Sequence, residues 1–99
     1  GEEITLPDCE TCVLAGQYVF YVPYAYPYSA CPTLYALDLN TRITYTLAQL
    51  RQMNGYYGLE ATGQAVYLFN YNAGSISRIC VHSGAMRLDT VAQFDMGWN

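Results

Sequence analysis

The residues best equipped for chemistry in this chain are four cysteines, one histidine and a cluster of tyrosines. Cys9 and Cys12 are separated by Glu10-Thr11, and Cys31 and Cys80 stand alone. A redox Cys-x-x-Cys needs a helix to lower its thiol pKa, and nothing after Cys12 reads as one. A zinc site needs a second close pair of ligands, which is missing. Structural disulfides are therefore expected from Cys9, Cys12, Cys31 and Cys80, with the three possible pairings left open.

His82 falls at an expected turn with Ser75, Ser77 and Ser83 nearby, but none of these serines sits in a nucleophile elbow. Asp38, Glu60, Asp89 and Asp95 are candidates for a carboxylate pair, although their spacing does not point to one. Asp38-Leu39-Asn40-Thr41 offers oxygens to calcium, yet these are also the residues that a hairpin turn requires, and the turn is the stronger reading. The glycines are scattered singly, so no phosphate loop exists. No catalytic residue, metal or cofactor is implied, and the expectation is a non-enzyme.

Tyrosine dominates the aromatic content, with 11 of 99 residues. From Tyr24 onward, Tyr26 and Tyr28 alternate with Ala and Pro, a pattern suited to an extended loop. Tyr24, Tyr26, Tyr28, Tyr71 and Trp98 are the candidate binding residues, as platforms for sugars or as contacts to a partner.

Bulk composition limits the partners. The net charge is −4, the only cations are Arg42, Arg51, Arg78 and Arg87, and there is no lysine, so a nucleic-acid surface is excluded. No window approaches the roughly 18 apolar residues of a membrane span. Cysteine usage without lysine suggests an oxidising, extracellular setting, and a start at Gly1 reads as a processed or excerpted chain. Glu2, Glu3, Asp8 and Glu10 read as a solvated terminus or a docking strip for another copy. No Asn-x-Ser/Thr acceptor for N-glycosylation is present.

The elements that position these residues repeat. Ala15–Ala25 (AGQYVFYVPYA) aligns with Thr62–Asn72 (TGQAVYLFNYN), Thr33–Thr41 with Ser75–Ser83, and Thr46–Leu50 with Thr90–Phe94. The offsets are 47, 42 and 44, so insertions fall between strands, around Tyr26–Cys31 and at Gly84-Ala85. Strands are expected near Thr11–Leu14, Val19–Val22, Leu34–Leu39 and Ile43–Leu47. Their counterparts are Tyr57–Ala61, Val66–Phe69, Ser75–Val81 and Met86–Val91. Leu47–Met53 has some helical character, but its match at Val91–Met96 favours a strand end and turn.

A period of about 44 residues with four strands is that of propeller blades. Gly58, Leu59, Gly63, Val66, Tyr67, Asn70, Ser75, Ile76, Arg78, Ile79, Gly84 and Val91 form a pattern that resembles NHL and YVTN propeller repeats. The first copy is more diverged, with Thr11 where the second has Gly58. The resemblance implies architecture alone, because such repeats carry many functions.

The expected fold is a single all-β domain over residues 1–99 with two four-stranded antiparallel propeller-like blades, supported by disulfides. Repeat 1 spans about 9–54 and repeat 2 about 55–99. Two blades leave uncovered faces and edges. The expected function is thus a secreted, non-catalytic structural protein whose blades are completed by further copies in a ring or filament. The alternative is a glycan-binding, lectin-type module.

Overall fold

The computed structural model describes residues 4–25, 31–50, 57–63, 65–71, 73–82 and 85–93, with the backbone alone described at Val81, His82 and Ala85. Eight strands form two separate antiparallel sheets. The first comprises β1 (Cys9–Ala15), β2 (Tyr18–Pro23), β3 (Thr33–Asp38) and β4 (Thr44–Gln49), in that spatial order. The second comprises β5 (Tyr57–Thr62), β6 (Ala65–Asn70), β7 (Ser75–His82) and β8 (Ala85–Gln93), again in chain order. No helix occurs among the described residues, and Leu47 to Gln49 lie in β4.

The repeat extends to the register of the sheets. Val19 opposite Leu37 in the first sheet becomes Val66 opposite Ile79 in the second. Leu34 opposite Ala48 becomes Ile76 opposite Ala92. A bulge between Leu34 and Tyr35 recurs between Ile76 and Ser77, leaving Leu47 and Val91 as the extra residues on the facing strands. Such bulges bend a strand and increase its twist, so the two sheets carry the same local distortion.

Turn chemistry is equally local. Gly16 and Gly63 both have φ near +60° and open the two-residue turns after Ala15 and Thr62, where hairpin geometry calls for a positive φ. The β3–β4 connection closes with Arg42 at φ 64°, and its N–H donates to the Asp38 carbonyl at 2.8 Å.

One apolar core lies between the sheets. Phe20, Val22, Leu34 and Ala36 of the first sheet meet Tyr57, Leu59, Val66, Leu68 and Ile79 of the second, with Leu50 at the margin. Val22, Leu34 and Ala36 have no exposed surface. Burying such side chains contributes about 1.5–3 kcal/mol each for the larger ones.

The expected disulfides are corrected here, since no disulfide joins any two of Cys9, Cys12, Cys31 and Cys80. Their placement explains much of this. Cys80 is on the second sheet, whereas Cys9 and Cys12 share β1 and Cys31 precedes β3.

Candidate functional site: two outward sheet faces

The strands alternate faces, so the core assigns each side chain a direction. On the first sheet the face toward the core carries Val13, Ala15, Tyr18, Phe20, Val22, Leu34 and Ala36. Shifted by the repeat offsets, Phe20, Val22, Leu34 and Ala36 correspond to Tyr67, Phe69, Ile76 and Arg78, none of which belongs to the core. The second sheet instead buries Leu59, Val66, Leu68 and Ile79, whose counterparts Cys12, Val19, Tyr21 and Leu37 lie on the outer side of the first sheet. Opposite faces of the two repeats therefore meet.

Equivalent strands also stack on each other, β1 against β5 and β4 against β8. Glu10 and Thr11 hold that junction. Glu10 Oε1 accepts the Tyr57 N–H at 3.2 Å, and Thr11 Oγ1 accepts the Leu59 N–H at 3.0 Å. These bonds satisfy N–H groups on β5, the edge strand of its sheet. Burial pushes the Glu10 carboxyl above the usual range, and the Tyr57 hydrogen bond only partly offsets it. Among the described residues this leaves two outward faces, each the counterpart of one already used inside the chain.

The outer face of the first sheet is uncharged along its strands. One cross-strand row runs Cys12, Tyr21, Tyr35, Thr46, and the next runs Leu14, Val19, Leu37, Thr44. Tyr21 and Tyr35 stack with ring centroids 5.4 Å apart. Burial raises the Tyr21 phenol, its hydrogen bond with Thr44 opposes this, and Tyr35 and Cys9 add to the rise. Cys9 is also raised, by burial first and then by Cys12 and Asp8. Leu14 is 62% exposed.

The outer face of the second sheet is mixed. Glu60, Tyr67, Arg78 and Asp89 form one row across all four strands. Asp89 also accepts from Arg87 Nε at 3.1 Å and from the Cys80 thiol at 3.5 Å. Beside this row, Tyr71 stacks on Phe69 with centroids 6.0 Å apart and planes 10° apart. A Cβ on Gly58 would lie 2.9 Å from the Tyr71 hydroxyl, so glycine there admits the ring.

The tyrosine candidates divide. Tyr24 and Tyr71 occupy equivalent positions and are exposed to almost the same extent, 45% and 47%. Tyr26, Tyr28 and Trp98 lie outside the described residues. Tyr21, Tyr35, Tyr67 and Phe69 are the face-forming aromatics that a search for loop tyrosines passes over. Strand alternation locates them once the repeat is aligned.

Of the carboxylate candidates, Asp95 lies outside the described residues, and Asp38, Glu60 and Asp89 do not converge. Glu60 and Asp89 lie on β5 and β8, three strand spacings or roughly 14 Å apart. Glycosidase pairs need roughly 5–9.5 Å. Asp38 is buried in its turn, where Oδ1 accepts from the N–H groups of Asn40 and Thr41 and Oδ2 from the Gln17 amide. Burial alone would raise its pKa, but these hydrogen bonds prevail and hold it below the ordinary range. Its oxygens serve the turn. Ser77 is also buried, and its hydroxyl meets that of Thr90 at 3.5 Å. Among the described residues no three His, Cys, Asp or Glu side chains group as metal ligands, and no helix is long and apolar enough to cross a membrane.

The chain matches no protein-family model, no curated protein and no solved structure.

Proposed function

We propose that this chain is a secreted, non-catalytic, self-assembling structural protein, its two propeller-like blades completed by further copies. The observation that supports this reading is the front-to-back packing of the two sheets. A face-to-face pair with two-fold symmetry would use the same face twice and close on itself. Front-to-back packing uses one face of each repeat and leaves the complementary faces outward. A second copy can continue the stack by placing its first sheet on the second sheet of its neighbour. Such heterologous contacts make rings when the rotation closes and filaments when it does not.

The seam between copies would differ from the one inside the chain. Arg78 and Glu60 stand where Ala36 and Val13 pack internally, so the contact is more polar and weaker. Tyr67, Phe69 and Ile76 supply its apolar part against Val19 and the exposed Leu14, beside Tyr21 and Leu37, which the single chain already buries.

Light scattering across a concentration series, with negative-stain images, tests the reading. The expected result is a discrete oligomer or a growing filament. A folded monomer of 11.1 kDa at every concentration overturns it.

The second reading is a lectin-type module, favoured by the equal exposure of Tyr24 and Tyr71 at matching positions. Aromatic rings displayed once per repeat can stack on sugar faces. Glycan-array binding that free sugar competes away, and that Tyr71→Ala abolishes, would place this reading first.

A further inference from the structure

The β1 strand carries a bulge that has a chemical consequence. Cys9 pairs with Pro23 and Thr11 with Val22, so Glu10 is the extra residue. Glu10 and Thr11 both direct their side chains to β5, on the core side of the sheet. The bulge thus resets the alternation, and Cys9 and Cys12 become consecutive residues on the outer face. Their cross-strand partners, Pro23 and Tyr21, are likewise consecutive on one face of β2. In a regular strand a spacing of three would put two side chains on opposite faces.

We infer that Cys9 and Cys12 form a two-thiolate clip for a soft, low-coordinate cation of the Cu(I) type. Soft thiolate pairs select such ions, and two sulfurs suffice for an ion that accepts linear coordination. Same-face neighbours on a strand lie about 6.6 Å apart at Cα, near the upper limit of roughly 6.8 Å for a disulfide, and the bulge residue adds to that span. An ion set between the sulfurs bridges this gap with less backbone movement than a direct S–S bond. Cys12 is exposed and gives access, while the Cys9 thiol donates to the Pro7 carbonyl at 3.0 Å. On binding, both thiol protons leave and two S–Cu bonds form, with no change of oxidation state. The site is a property of one chain and goes beyond the assembly reading.

The test is anaerobic titration of the whole reduced chain with Cu(I) buffered by a chromophoric chelator, below the concentration at which copies associate. Native mass spectrometry counts the bound ions. The expected result is one tightly held copper per chain. It is lost in Cys9→Ser and in Cys12→Ser, and kept in Cys31→Ser and Cys80→Ser. Circular dichroism on each variant separates loss of the site from loss of the fold, and serine keeps the side-chain size at both positions. Copper retained in Cys12→Ser, copper displaced only by changes at Cys31 or Cys80, or no copper in the folded wild type overturns the assignment. A Cys9–Cys12 disulfide that forms readily in air and stays intact in mild reductant also overturns it.

Discussion

The Gln17 side chain donates to Asp38 Oδ2 at 3.1 Å, tying the β1–β2 turn to the β3–β4 turn of the first sheet. The Gln17 carbonyl reinforces the link by accepting the Leu39 N–H at 2.7 Å. In the second repeat the position of Asp38 is taken by Cys80, whose thiol turns to Asp89 instead. The corner of the first sheet is therefore held by a carboxylate that the second repeat does not carry at the matching position.

Acid should loosen that corner. The folded pKa of Asp38 is depressed, so its contribution is present above the unfolded value near 3.9 and is lost as pH falls through the folded pKa. Glu10 works the other way, because its folded pKa is raised and its protonation on acidification favours the folded state. Urea unfolding of wild type and Asp38→Asn isolates the first effect. The stability gap between them should shrink from pH 6 towards about pH 3. A gap that is constant across that range would mean that Asp38 does not act through its charge.

Gly16 holds a positive φ that L side chains adopt at a cost of roughly 1–2 kcal/mol. A Cβ there meets nothing within 4 Å, so Gly16→Ala should lose stability by backbone strain alone. Thermal melts should show a drop consistent with about 1 kcal/mol and no change in sheet content. An unchanged melting temperature would show that the turn relaxes to another type.

These turns were the most legible part of the sequence. Gly-Gln at 16–17 and Asp-x-Asn-Thr at 38–41 act through local hydrogen bonds and φ preferences, which depend on few neighbours. The repeat alignment was legible too, because Leu47 and Val91 fall at matching places and prove to be the two bulge residues. The face on which each strand packs was not. Phe20 and Tyr67 are equivalent in sequence, yet Phe20 is 2% exposed and Tyr67 is half-buried on the outer side. Which face meets which is decided by the stacking of whole sheets, a long-range relation that periodicity does not encode. The β1 bulge was hidden for a similar reason, since Cys-Glu-Thr-Cys alone does not specify two partners on β5.

Gly58 is the counterpart of Thr11, and its missing side chain lets Tyr71 lie over β5. Gly58→Ala should push the Tyr71 ring off Phe69. Because Tyr71 is nearly half exposed it can swing into solvent, so the stability loss should stay within about 0.5 kcal/mol. The readout is the loss of ring-current shifts between Phe69 and Tyr71 in NMR spectra. Shifts that persist would mean that the backbone gives way rather than the ring.

Tyr67 lies between Glu60 and Arg78 on the face proposed to receive another copy. Tyr67→Glu places a charge where the internal seam has Phe20, at little cost to a chain on which that face is already solvated. Assembly measured by light scattering should disappear while the circular dichroism of the single chain is retained. Assembly undiminished in this variant would move the seam elsewhere.

Leu34 and Ile76 give the sharpest comparison, since they hold equivalent positions in the two sheets. Leu34 has no exposed surface, and Leu34→Ala should cost about 2–5 kcal/mol in chemical denaturation at any protein concentration. Ile76 is half-buried on the outer face, with no second sheet over it among the described residues, so Ile76→Ala should cost less in the dilute single chain. If a further copy stacks on that face, the cost of Ile76→Ala rises toward that of Leu34→Ala as protein concentration increases, because stability and association are then linked. A cost independent of concentration at both positions would leave the outer face of the second sheet without a partner copy.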